Sequence, residues 1–371
     1  MIRVDTALRP SAWVFVSLAL VMLVSLDAAG ELVTPSDNVV SQLNVRKGPG
    51  TNTRIVGKLR PNAYALLKGG VSSWYEVRLR DETQGFVKSS RSEIVPDLRL
   101  GTWNIQKLGH GSSKDHELVA DIIEDHFDLL TVIEVMQKGG GHPGYDNLLA
   151  ALGSGWGGLV TNTPRPNTGA GYAEYYAVLF RNTAVRPCDD ATGLIYFEDN
   201  DGSPDGRGPD RFSREPAYTC MQVLSPSGEP TWDLMLAAYH ATWSDGRDDL
   251  ISSEVDVLDD VFRAMRALRA NEQDLLIAGD FNLVPDELRG LVNATDATTG
   301  RGSTLNKDGE RTLNLYDHIL VWDRNETDEL VVPAYVVDVR RRAANADTFE
   351  LTVSDHLPVV GHFLRVRADD D

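Results

Sequence analysis

Six apolar runs after Leu98 end in the same few polar side chains. The clearest is Leu276-Ile277-Ala278-Gly279-Asp280-Phe281-Asn282-Leu283, where an apolar stretch stops at Gly-Asp-x-Asn. Continuous apolar runs of this length read as strands buried on both faces. The same ending recurs at Asn104 in Thr102-Trp103-Asn104-Ile105, Glu134 in Val132-Ile133-Glu134-Val135 and His240 in Ala238-Tyr239-His240-Ala241. It recurs again at Asp317 in Leu315-Tyr316-Asp317-His318-Ile319 and at Asp355-His356 in Val353-Ser354-Asp355-His356-Leu357-Pro358. A charged side chain within an apolar strand is costly unless it is paired or coordinated. One instance could be a solvated strand face, but six imply a shared destination. The pattern predicts strand ends converging on one polar site. Asp280 and Asn282, two apart, point the same way if the chain stays extended through Phe281.

Between these runs the periodicity changes to helical. Strands are expected over residues 98–105, 129–135, 175–180, 233–240, 274–278, 315–322, 331–337 and 357–364. Ser113 is placed to cap a helix running to about residue 126. Ile251, Val255, Leu258, Phe262, Met265 and Leu268 recur at helical spacing and predict one long helix over 248–270. Strands alternating with helices predict mixed α/β layers.

The first thirty residues read as a signal peptide. Arg3 and Arg9 give a positive start, residues 11–26 are apolar and uncharged, and Ala28 and Gly30 suit cleavage after Gly30. The run is short for a membrane span. A secreted or periplasmic mature chain without a stable membrane span is expected. In that oxidising setting Cys188 and Cys220, the two cysteines present, are expected to form a disulfide. Between them lies a Gly/Asp/Pro-rich excursion over 199–210.

The 371 residues carry a net charge of −19. Such a chain lacks a broad basic surface for non-specific attraction to polyanions. A polyanionic substrate would need a bound cation or a few arginines. Glu134 and Asp355 are hard oxygen donors, and Asn104 adds a neutral oxygen. That set suits Mg²⁺ or Mn²⁺. Cysteine and histidine are too few to favour zinc. His240 and His356 are candidates for proton transfer or for hydrogen bonding to a phosphate. No Gly-x-Ser-x-Gly elbow is present to support acyl transfer.

Two resemblances organise the chain. Residues 31–37 read as a polar linker. Residues 38–96 contain Leu43-Asn44-Val45-Arg46-Lys47-Gly48-Pro49 followed by short alternating runs such as Trp74-Tyr75-Glu76-Val77-Arg78-Leu79. This segment resembles the bacterial SH3-like domain, which implies a small all-β barrel and a cell-wall or peptide ligand. Residues 97–367 carry Trp103-Asn104-Ile105, Ile133-Glu134-Val135, Tyr172-Ala173-Glu174, Phe212-Ser213-Arg214-Glu215-Pro216, Tyr239-His240-Ala241, Gly279-Asp280-Phe281-Asn282, Tyr316-Asp317 and Ser354-Asp355-His356-Leu357-Pro358. In this order they resemble the endonuclease/exonuclease/phosphatase superfamily, most closely deoxyribonuclease I.

The second resemblance implies a four-layer αββα sandwich with its site at one edge of the two sheets. It implies metal ligation by Asn104, Glu134 and Asp355, with Mg²⁺ or Mn²⁺ at the site and Ca²⁺ open as a structural ion. Asp280 and Asn282 match the residues that position the attacking water and the scissile phosphate. His240 and His356 match the catalytic histidines, and Glu174 and Asp317 the carboxylates that orient them. Arg214 matches a phosphate-contacting arginine and Tyr172 a substrate-contacting tyrosine. Gln106 and Met136 stand where deoxyribonuclease I has minor-groove arginines, with Lys107 and Lys138 one and two residues further on. The expected function is metal-dependent hydrolysis of phosphodiester bonds, with DNA as substrate. Its rivals are a phosphatase or sphingomyelinase-type phosphodiesterase on the same fold, and a non-catalytic binding scaffold.

Overall fold

The computed structural model describes residues 31–111, 113–166, 172–199, 211–243, 248–322, 329–343, 348–367 and 369. The expected signal peptide and all but the first residue of the excursion over 199–210 lie outside the described residues. No helix among the described residues is long and apolar enough to cross a membrane.

One strand ties the molecule together. Ser92–Leu108 runs for 17 residues. Its first part pairs antiparallel with Glu31–Pro35, in register Leu32 opposite Val95. Its second part pairs parallel with Leu129–Met136 and antiparallel with Val359–Leu364. The expected boundary between residues 96 and 97 therefore falls inside a continuous strand. The reading of 31–37 as a linker is corrected. Leu32 and Val33 alternate in direction and are fully buried, Val33 in the core of the N-terminal unit and Leu32 against Val332 and Leu364 of the larger body.

The N-terminal unit consists of short strands over Glu31–Pro35, Leu43–Arg46, Ile55–Leu59, Ala65–Val71, Trp74–Arg78 and Gln84–Lys88. They enclose Val33, Val45, Ala65, Val77 and Val87.

The larger body is a mixed α/β sandwich. One sheet contains Trp156–Val160, Ala173–Arg181, Leu129–Met136, Ser92–Leu108, Val359–Leu364 and Leu330–Val336. The other contains Val185–Pro187, Ala217–Leu224, Pro230–His240, Leu275–Asp280 and Asp317–Val321. Leu100, Leu129, Ile133 and Val178 of the first sheet meet Met221, Leu234, Leu236, Leu276 and Ile319 of the second. Helices His116–His126 and Pro143–Leu152 cover the outer face of the first sheet, and Asp248–Val255 and Leu258–Leu268 that of the second.

In each sheet a parallel strand pair is joined by a helical crossover, Ser92–Leu108 with Leu129–Met136 in one and Pro230–His240 with Leu275–Asp280 in the other, which brings both strand ends to the same edge. Gly279 is required at one of these ends: a Cβ there would lie 1.8 Å from the Tyr239 carbonyl oxygen.

Two helix expectations are corrected. Asp115, not Ser113, caps His116–His126 by accepting a hydrogen bond from the Leu118 N–H at 3.0 Å. The helix expected over 248–270 is two helices, broken at residues 256–257, where Val257 leaves helical geometry with ψ near 3°. The apolar stripe survives the break except at Leu268, which is exposed. Cys188 and Cys220 are joined by a disulfide with Cα atoms 5.4 Å apart.

Candidate active site

The second sheet lines up three site residues by register: His240 lies opposite Asp280, and Asp280 opposite Asp317. The first sheet brings Asn104 and Glu134 to the same edge. The chain bulges between Asn104 and Leu108, and Lys107 adopts a left-handed φ of 52°. Bulges re-aim side chains at sheet rims. Here the bulge points the Lys107 N–H at Glu134 Oε2, at 2.8 Å. Glu134 itself has φ 62°. A non-glycine residue held in that region stores roughly 1–3 kcal/mol, which surrounding contacts must offset.

Asn104 Nδ2 donates to Glu134 Oε1 and to Asp280 Oδ2, both at 3.1 Å. Two flanking carboxylates fix the amide orientation, because the reverse would set oxygen against oxygen. Asn104 Oδ1 is left buried without a hydrogen-bond partner among the described residues, and so is Asp355 Oδ1.

Two histidine–carboxylate pairs converge on Asp280. His240 Nδ1 lies 2.9 Å from Glu174 Oε2, and His356 Nδ1 lies 2.7 Å from Asp317 Oδ2. The opposite ring nitrogens face Asp280 Oδ2, at 3.8 Å for His240 Nε2 and 3.6 Å for His356 Nε2. Burial disfavours the charged form of His356, but Asp317 and Asp280 outweigh it, so His356 titrates well above its ordinary value.

Asn282 departs from expectation. It has φ 51°, so the chain is not extended through it. Its N–H folds back onto Asp280 Oδ1 at 3.0 Å and its Nδ2 donates to the Ala241 carbonyl at 3.0 Å. Asp280 and Asn282 still meet, through a side-chain-closed turn rather than through a shared strand face.

Arg214 is only 1% exposed. Its Nε and Nη2 donate to the carbonyls of His240 and Ala241 at 3.1 and 2.6 Å, and its Nη1 faces Glu174 at 3.4 Å. The enclosed guanidinium holds the end of the His240 strand. Tyr172 sits at the mouth, its ring 6.0 Å from that of His110. Burial and the nearby Glu134 raise its phenol above the ordinary value. Met136 is fully buried, and Gln106 turns inward to Asp355, so neither projects from the site edge.

A family model described as the Endonuclease/Exonuclease/phosphatase family matches residues 101–356. The chain belongs to this family. A deoxyribonuclease of Thioalkalivibrio sp. (strain K90mix) is 30% identical over 281 residues, covering 72% of this chain and 71% of that protein. Among solved structures, an endonuclease/exonuclease/phosphatase from Bacteroides vulgatus is 17% identical with a TM-score of 0.48, covering 72% of this chain and 98% of its own. A conserved protein of unknown function from Enterococcus faecalis V583 is 16% identical with a TM-score of 0.49, covering 71% and 98%.

A divalent cation fits this family member's donor set. Three site oxygens, Asn104 Oδ1, Asp317 Oδ1 and Asp355 Oδ1, are buried without a hydrogen-bond partner among the described residues. Oxygen donors without thiolates suit a hard ion. Asp280, Asp317 and His356 also bring ligand-type atoms within 4.8 Å of one another. Asp317 Oδ2, however, already accepts from the Ser303 hydroxyl at 2.6 Å and pairs with His356. Asp317 thus braces His356 through Oδ2, and Asn104, Glu134 and Asp355 make up a separate all-oxygen donor set.

Several supporting residues escaped the sequence. The Tyr176 hydroxyl accepts from the His240 N–H at 3.1 Å. Glu254, buried between Ser213 and Thr242, accepts a backbone N–H from each at 2.7 Å. Ser354 donates to the Asn104 carbonyl at 2.6 Å and accepts from the His356 N–H. Ser354 lies within the Ser354-Asp355-His356-Leu357-Pro358 motif. Glu254 lies on the expected helix but off its apolar stripe, and Ser303 lies outside every expected element.

Proposed function

We propose that this chain is an exported, divalent-metal-dependent deoxyribonuclease. The observation that carries the reading is the convergence of two carboxylate-braced imidazoles on Asp280, beside an oxygen-rich cation site. The similar deoxyribonuclease supports DNA as substrate, and the signal-like first thirty residues support export. We read the N-terminal unit as an SH3-like accessory module with a cell-wall or peptide ligand.

Glu174 and Asp317 hold their imidazoles by Nδ1, so each Nε2 points into the site. A water beside Asp280 can pass its proton to a neutral imidazole as its oxygen bonds to phosphorus. An imidazolium can give a proton to the leaving oxygen as the old P–O bond breaks. Asn282 keeps one amide hydrogen for a phosphate oxygen after serving Ala241. Arg214 and Tyr176 fix the backbone of His240. When bound, a divalent ion held by Asn104, Glu134 and Asp355 would neutralise developing phosphate charge.

The test uses purified protein with Mg²⁺ or Mn²⁺ against plasmid DNA, RNA, phosphorylated sugars and sphingomyelin. Cleavage of DNA, abolished by chelator, is expected. Turnover confined to phosphomonoesters or sphingomyelin would replace this reading by the phosphatase or sphingomyelinase alternative. No turnover on any of them would favour the binding scaffold.

A further inference from the structure

Gln106 occupies a position where the resembled nuclease reaches outward with an arginine. Here it reaches inward. The left-handed Lys107 that follows turns the bulge, and Gln106 Nε2 donates to Asp355 Oδ2 at 2.7 Å, with a longer approach of 3.5 Å to Glu350 Oε1. The Asp355 backbone is also fixed, since its carbonyl accepts from the Leu305 N–H at 2.7 Å. The other carboxylate oxygen, Oδ1, is buried and has no hydrogen-bond partner among the described residues.

We infer that Gln106 is a positioning residue for Asp355, fixing Oδ2 so that Oδ1 is presented to a divalent cation. This deepens the metal-dependent reading above and rests on it. The chemistry explains why a neutral amide serves. A hydrogen bond from an amide orients a carboxylate and leaves its negative charge available to the ion. An arginine at the same distance would neutralise that charge and compete with the cation. Groups that orient a ligand in this way typically contribute about 10- to 100-fold to metal affinity.

The test is Mn²⁺ binding without substrate, followed by the electron paramagnetic resonance signal of the free ion. Gln106→Ala and the nearly isosteric Gln106→Met are compared with the wild type, each checked for folding by circular dichroism. Weaker Mn²⁺ binding by about 10- to 100-fold is expected in both. On DNA, kcat should recover at saturating Mn²⁺ with KM unchanged. Unchanged Mn²⁺ affinity in folded Gln106→Met would overturn the inference, as would a raised KM that excess Mn²⁺ does not correct. If the variants lose Mn²⁺ affinity and the wild type cleaves no DNA, the nuclease reading fails and the role of Gln106 stands. If the wild type binds no Mn²⁺, the inference falls.

Discussion

At the scale of single residues, direct contact and indirect support should separate in kinetics. His240→Ala and His356→Ala each remove an Nε2 that faces Asp280, and each should lower kcat by about 10²-fold or more. Glu174→Ala and Asp317→Ala should cost less, because each removes only the brace on Nδ1. Glu134→Ala should respond to excess Mg²⁺, because it weakens ion binding rather than proton transfer. Initial rates against Mg²⁺ concentration for the five folded variants check this. His318 offers a separate test through stability. Its Nε2 donates to the carbonyls of Leu283 and Leu315, and its Nδ1 lies 2.9 Å from Asp296 Oδ2. Burial opposes its charge, but the hydrogen bond to Asp296 prevails and raises its pKa. A raised folded value means that the imidazolium stabilises fully below the unfolded value of about 6.5 and is lost as pH rises through the folded value. Urea midpoints of the wild type should therefore fall as pH rises above about 6.5. His318→Gln should flatten that fall, and an equal fall in the variant would refute the assignment.

At the scale of elements, the second sheet carries its own clamp. The disulfide joins the segment after Val185–Pro187 to the strand Ala217–Leu224, across a sequence separation of 32. Closing a loop of that size should stabilise by roughly 3–4 kcal/mol in the chain-entropy account. Denatured, unreduced protein is expected to show no free thiol on titration, and reduction should lower the denaturant midpoint. Titration of two free thiols would contradict the bond.

At the scale of the whole molecule, the N-terminal unit is built onto the catalytic body. Leu32 and Leu66 share a cluster with Val332 and Leu364, and the Arg78 guanidinium stacks 4.1 Å over the Tyr335 ring. No candidate catalytic residue lies before Asn104. A chain starting near Pro96 should therefore keep phosphodiesterase turnover. It should also lose stability, because Val332 and Leu364 become exposed. Two such side chains contribute roughly 3–6 kcal/mol when fully buried, with part retained after truncation. Thermal melts and rates of the truncated and full chains check both halves. A truncated chain as stable as the full one would show that the shared cluster contributes nothing.

The sequence by itself determined which residues would meet. The strand-end positions of Asn104, Glu134, His240, Asp280, Asp317 and His356 were legible because a polar side chain in an apolar strand must find compensation, and the strand directions leave one shared edge. The mixed α/β class was legible for a related reason, since period and apolar pattern are local properties. What only the tertiary structure decided depends on contacts between segments far apart in sequence. Asn282 left the extended path because Asp280 Oδ1 and the Ala241 carbonyl offered its amide groups better partners. Arg214 was drawn inside because two strand-end carbonyls and Glu174 needed a donor. Ser303 and Glu254 could not be singled out locally, because their partners, Asp317 and Tyr316 for one and Ser213 and Thr242 for the other, lie in other elements of the chain. The linker that proved to be a strand follows the same rule: residues 31–35 form a strand because the early part of Ser92–Leu108 offers an open edge.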